Sequence, residues 1–171
     1  MREAKVKLST TRNNNLKQTI MRSRTAKWME CFITYEKVME NGLEKKVKEV
    51  YVVDALSFTE AEARIIDEMK SYISGEFNVQ NINPASYGEI FFSENNEADK
   101  WYKAKLQFVT IDEKSEKEKK TAVNYLVQAS TLEQARKSVD EVMGGTMIDY
   151  VIVGVNETKI IDVFEVKEKD S

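Results

Sequence analysis

Apolar and polar positions alternate from Trp28 to Tyr35. Met29, Cys31, Ile33 and Tyr35 fall on one side of the count, and Trp28, Glu30, Phe32 and Thr34 on the other. A period of two predicts a strand that buries one face. Asn41-Gly42 then predicts a type I′ hairpin turn, which needs positive φ at both central residues. The return strand runs from about Val47 to Ala55, where Val50, Val52 and Val53 supply β-branched bulk. At Ser57 the period changes. Ser57-Phe-Thr-Glu60 fits a capping box, and Phe58, Ala61, Ile65, Met69, Tyr72 and Ile73 share one helical face, with Gly75 placed to end the helix. Two further strands, Phe77–Asn83 and Tyr87–Phe92, are predicted as a pair joined by a turn at Asn83-Pro84.

The same order then returns. Trp101 opens a strand in which Tyr102, Ala104, Leu106 and Phe108 alternate with Lys103, Lys105 and Gln107. A charged connection, Asp112–Lys120, stands where the first copy has its turn, and a strand over Thr121–Ala129 follows. Thr131-Leu-Glu-Gln134 is a second capping box, and Leu132, Ala135, Val139, Val142 and Met143 repeat the apolar face. Gly144-Gly145 ends the helix, and Tyr150–Val155 and Lys159–Val166 form the last predicted strand pair. A shift of 74 lays Tyr51 on Tyr125, Val53 on Val127, Ala61 on Ala135 and Met69 on Met143, while a shift of 73 lays Glu89-Ile-Phe91 on Asp162-Val-Phe164.

This pattern predicts an α+β protein of two tandem ββαββ repeats, residues 28–93 and 101–166, joined by a linker at 94–100. Each repeat is expected to form a mostly antiparallel sheet with one packed helix, the two in a pseudo-two-fold arrangement. A basic, flexible N-terminal arm at 1–27 and a polar tail at 167–171 lie outside the repeats; a short helix over Leu16–Arg24 is the one element the arm offers.

Composition narrows the function. The chain contains no histidine and one cysteine, Cys31, which removes His-based triads, His/Cys zinc sites and any internal disulfide. Carboxylate clusters at Glu94, Glu97 and Asp99 and at Asp112 and Glu113 read as solvated loops, so neither metal nor cofactor is expected. No pairing of nucleophile and base can be drawn, and an enzyme is not expected. With no apolar run long enough to span a bilayer and no signal-peptide core, a cytoplasmic location with no membrane partner is the expectation. Charge is unevenly spread: eight cationic side chains against Glu3 give residues 1–27 a net +7, which leaves −10 for the rest of a chain that totals −3. That asymmetry points toward an anionic partner.

Trp28, the run Tyr51–Arg64, Trp101-Tyr-Lys, Asp112-Glu-Lys with Glu118-Lys-Lys120, Leu126-Val-Gln-Ala129 and Ile161-Asp-Val-Phe164 together resemble a domain-of-unknown-function family of gut Bacteroidetes and their phages and mobile elements. The resemblance runs from Trp28 to Phe164 and implies no activity, cofactor or catalytic residue. From Phe77 onward, the order of four strands and a helix is similar in topology to the repeat of PUR and Whirly-type single-strand binders, an analogy of fold alone.

Two functions follow from these features. The first is non-enzymatic binding of nucleic acid, preferably single-stranded DNA. Arg2, Lys5, Lys7, Arg12, Lys17, Arg22, Arg24 and Lys27 of the arm would neutralise phosphates, and Trp28, Phe32 and Trp101 would stack on bases beside Lys103 and Lys105. The plainer reading of the tryptophans is that they anchor the strand ends and pack under a loop. The alternative function is a protein-interaction or assembly module of a phage or mobile element with no nucleic-acid role, with a protein partner or a second copy on its sheet faces.

Overall fold

The computed structural model describes residues 20–24 and 27–166, and the tail at 167–171 lies outside them. The elements are β1 (Ile20–Arg22), β2 (Trp28–Val38), β3 (Glu44–Asp54), α1 (Phe58–Met69), β4 (Phe77–Ala85), β5 (Glu89–Ser93), β6 (Lys100–Ile111), β7 (Glu118–Ala129), α2 (Leu132–Gly144), β8 (Asp149–Glu157) and β9 (Ile160–Phe164). They build an α+β fold with two mixed sheets, ordered β1-β5-β7-β6-β8 and β4-β2-β3-β9.

The hairpins β2–β3 and β6–β7 are the centres of these sheets. Met29, Cys31, Ile33, Tyr51 and Val53 pack beneath Ala61, Ile65 and Met69 of α1. Tyr102, Ala104, Leu106, Tyr125 and Val127 pack beneath Ala135, Val139 and Met143 of α2. The predicted apolar faces are therefore the ones the helices cover. Cys31 is fully buried, and burial pushes its thiol up to about 12, so it belongs to the core.

Beyond the helices, the strand pairing differs from the sequence expectation. The predicted pairs Phe77–Asn83 with Tyr87–Phe92 and Tyr150–Val155 with Lys159–Val166 do not form. β4 pairs with β2 and β8 with β6, both antiparallel, while β5 crosses to lie parallel to β7 and β9 crosses to lie parallel to β3. Each sheet thus receives its last strand from the other half of the chain. The cause is burial on both faces: Ile90 and Phe91 are adjacent in β5 and both are essentially inaccessible. A strand outside the two sheets would expose one of them. Pro84 sits in edge strand β4, where a missing backbone donor is tolerated, rather than in a turn.

The crossings have matching registers. Glu89, Ile90 and Phe91 pair with Tyr125, Leu126 and Val127, and Asp162, Val163 and Phe164 pair with Tyr51, Val52 and Val53. Irregularities in the β2–β4 and β6–β8 ladders fall between Phe32 and Ile33 and between Lys105 and Leu106, 73 residues apart. The inner faces of the two sheets meet in a third cluster, where Trp28, Val52 and Val163 pack with Ile90, Trp101 and Leu126.

Two local details also depart from expectation. The first hairpin is not type I′. Gly42 alone has positive φ (81°), Met39 and Leu43 close the turn, and Gly42 N donates to Met39 O, giving a three-residue loop ending in the left-handed region. The second loop, between Asp112 and Lys117, is one residue longer and puts Glu116 at φ 58°. Helix α1 stops at Met69, well before Gly75; Lys70 is its right-handed C-cap, and Tyr72 N and Ile73 N both donate to Met69 O in the turn that follows. Both N-caps form as predicted: Ser57 accepts from Glu60 N and Thr131 from Gln134 N, each at 3.1 Å. Glu60 reaches back to Leu56 N rather than to Ser57. Ile20–Arg22 is a strand, not part of a helix; its backbone completes the β5 edge.

Two consequences are measurable. Gly88 N donates to Asn124 O at 2.8 Å, and a Cβ on Gly88 would stand 2.7 Å from Val123 Cγ2. Gly88→Ala is expected to cost about 1–3 kcal/mol in denaturant unfolding, the range of core overpacking, and Val123→Ala in the same chain to recover part of the loss. Asp162 of β9 is raised above the ordinary aspartate range, chiefly by burial and against the hydrogen bond from Val163 N. A raised carboxyl binds its proton more tightly folded than unfolded, so its contribution is present below about pH 4 and lost as pH rises through the folded value. Asp162→Asn is expected to be more stable than the parent at pH 7, with the difference closing at acid pH; equal midpoints at pH 7 would contradict this.

Candidate functional site

The inner faces of the sheets hold the residues singled out for stacking, and burial divides them. Trp28 is the first residue of β2 and Trp101 the second of β6, where the sheets touch, at 2% and 1% exposure. Phe92 meets Trp101 edge-on at 5.6 Å. Neither indole has a face left for a base, which corrects the stacking role read for both. Trp28 Nε1 has no hydrogen-bond partner among the described residues. An unpaired buried donor costs about 1–3 kcal/mol. Burying a tryptophan's 150–250 Å² at about 25 cal/mol per Å² yields roughly 4–6 kcal/mol, so the buried position wins.

Further along the same faces the sheets diverge and a cleft opens. It has a volume of about 270 Å³, and Glu30, Phe32, Tyr87, Lys103 and Lys159 are among its walls. Phe32 is half-buried, while Lys103 and Lys105 are exposed on one face of β6, as alternation from Trp101 requires. Lys48 Nζ stands 5.0 Å from the Phe32 ring centroid. An exposed cation–π contact is worth about 0.5–1 kcal/mol, whereas a base stacked on an aromatic ring is worth roughly 1–3, so a base would displace Lys48. At the floor, Tyr87 donates its hydroxyl to Glu30 Oε2 at 3.2 Å. Burial, then Glu30, raises the Tyr87 hydroxyl well above its ordinary value, so the proton stays on the phenol and the donor role is fixed. Sequence alternation identified Phe32, Lys103 and Lys105 but missed Tyr87 and Lys159, which reach the cleft from irregular segments beside β5 and β9.

The arm contributes less than its charge suggests within the described residues. Arg22 forks onto Glu89 with bonds of 2.9 and 2.8 Å, so its guanidinium is committed to a carboxylate. Arg24 is exposed and its backbone N donates to Glu165, and Lys27 is exposed with its carbonyl accepting from Ala55 N. A recess of about 400 Å³ between β1 and the end of β9 is lined by Met21, Arg22, Arg24, Phe92 and Glu165 among others. Arg2, Lys5, Lys7, Arg12 and Lys17 lie outside the described residues.

The remaining charged candidates have structural partners. Asp54 is buried; its Oδ1 accepts from Arg64 Nη1 and from Val166 N, both at 2.9 Å, and its carbonyl also accepts from Arg64. It ties β3, α1 and the chain after β9. Gln128 holds Ser93 N at the end of β5 in the same way, at 2.9 Å. Among the described residues, no group of three or more acidic or cysteine side chains gathers to hold a metal ion, and no helix is long and apolar enough to cross a membrane.

Residues 27–166 match the family model described as a domain of unknown function, DUF4494, a span that contains the Trp28–Phe164 stretch of the sequence resemblance. No curated protein and no solved structure matches the chain.

Burial of both indoles has a direct optical consequence. Native fluorescence should be shielded from acrylamide and become quenchable in denaturant; quenching of the native protein as strong as that of free tryptophan would place an indole at the surface.

Proposed function

As the chain belongs to the family of the domain of unknown function DUF4494, whose description names no activity, we propose its function from the cleft: non-enzymatic binding of nucleic acid, with single-stranded DNA preferred. The observation that carries the proposal is one open cleft that brings Lys103 of β6 and Lys159 together with the half-buried Phe32 of β2, with Lys105 exposed two residues beyond Lys103 on the same face of β6. Lysines neutralise backbone phosphates and release counterions. An aromatic ring offers a face that any base can use, and a strand without a complement presents its bases freely. The arm of residues 1–27 adds non-specific charge. We read the two halves as copies of one ββαββ unit in a pseudo-two-fold relation, supported by the crossing registers and the ladder irregularities.

A second reading, an interaction or assembly module, is favoured by edge strand β8. Val151 and Val153 are about half exposed there, and Ile111 at the end of β6 is 71% exposed. Its mark would be self-association that cleft lysine substitutions leave unchanged.

The test is a fluorescence-anisotropy titration of a labelled single strand across a salt series. Binding is expected at about 50 mM salt, with a slope that falls by about 1.4 in Lys103→Glu/Lys105→Glu, two phosphate contacts at roughly 0.7 each. Deleting residues 1–27 should weaken binding without abolishing it. Absence of binding at about 50 mM salt overturns the proposal, because counterion release favours association most at low salt.

A further inference from the structure

We infer that the cleft is a pocket for a single base and that Glu30 makes it selective for guanine, an inference that rests on the nucleic-acid reading above. A carboxylate is a poor neighbour for a phosphate backbone, yet Glu30 stands in a cleft whose other charged walls are lysines. Among the described residues it forms no ion pair with Lys103 or Lys159. The hydroxyl of buried Tyr87 holds its Oε2 and fixes the group's orientation. Each carboxylate oxygen accepts more than one hydrogen bond, so Oε1 and the second lone pair of Oε2 remain for a ligand.

What such a carboxylate recognises is two adjacent donors. Guanine offers them in its N1–H and its exocyclic amine. Adenine and cytosine place a bare ring nitrogen beside their amine, and thymine flanks its one imide N–H with two carbonyls; in each case an acceptor faces the carboxylate. Glu30 and Phe32 are two residues apart on one face of β2, so a base stacked on Phe32 can direct its pairing edge along the strand toward Glu30. Lys103 and Lys159 then stand where the sugar-phosphate leaves. The volume of about 270 Å³ is just below the roughly 300–1,000 Å³ typical of pockets for drug-sized ligands, which suits an occupant as small as one base.

The test titrates the full chain with thymidine oligomers of about 15 nucleotides, within the range of single-strand site sizes, unsubstituted or carrying one central dG, dA or dC. The dG oligomer is expected to bind about tenfold more tightly than the unsubstituted one, as a bidentate contact allows, with dA and dC near the unsubstituted value. Glu30→Gln should erase the dG preference, so that the dG oligomer and the unsubstituted one bind that variant alike. Tyr87→Phe, which keeps the ring in the core, should reduce the preference; circular dichroism of both variants confirms that they fold. If the unsubstituted oligomer binds and dG confers no preference, or if Glu30→Gln retains it, the guanine pocket is overturned and the nucleic-acid reading stands. If no oligomer binds at about 50 mM salt, where association is favoured, both fall together.

Discussion

Everything else in this fold depends on one exchange: the last strand of each half completes the sheet of the other half. β3 is flanked by β2 and by β9, and β7 by β6 and by β5. With neighbours on both edges and packing on both faces, Tyr51–Val53 and Tyr125–Val127 are buried three in a row. Separating the halves would open two parallel ladders and the central cluster of Trp28, Val52, Ile90, Trp101, Leu126 and Val163. Each such aliphatic side chain contributes about 1.5–3 kcal/mol when fully buried, whereas an exposed ion pair such as Arg22–Glu89 contributes about 0–1. The exchange is held by apolar packing, and the surface charges decorate it.

Around that frame, equivalent positions solve the same problem with different chemistry. Asp54 and Gln128 each hold backbone at or just beyond the end of the incoming strand, one with a buried carboxylate and an arginine, the other with a neutral amide. Gly42 and Glu116 both occupy the left-handed position of a hairpin loop, although only glycine does so without strain. Glu89 and Asp162 sit at matching registers in the crossing strands. Glu89 is answered by Arg22 of β1, while Asp162 accepts from the backbone amide of its neighbour Val163 and is left raised by burial. What is held in common is where a backbone group needs a partner, and the choice of partner is free.

Alternation and capping boxes make the hairpin strands, both helix starts and the helix-covered faces legible in the sequence. Pairing was not legible, because a period of two says which residues share a face and nothing about which strand lies alongside. A signal for the exchange was nevertheless present. Tyr51-Val-Val53 and Tyr125-Leu-Val127 break alternation with three apolar residues in a row, the mark of a strand covered on both sides. The same signal corrects the tryptophans: Trp28 and Trp101 share a face with charged residues, but their cross-strand neighbourhood of Val52 and Leu126 makes that end of the face core. Phe32, Lys103 and Lys105 were legible as outward positions; Tyr87 and Lys159 were not, since both read as the first residues of strands whereas they lie in irregular backbone just before β5 and β9.

One strand face therefore changes character along its length. At Trp28 and Trp101 the inner faces touch and exclude water; at Glu30, Phe32, Lys103 and Lys105 they have parted enough to admit it. The cleft's walls come from both halves, Glu30 and Phe32 from the first and Lys103 and Lys159 from the second. A half folded alone would carry either the ring and the carboxylate or the lysines, never the set. Because the strand exchange brings the walls into register, the site exists only when both crossings are made. Its chemistry is thus tied to the apolar cluster beside it: a substitution that loosens Ile90 or Val163 would widen the cleft without touching any residue that lines it.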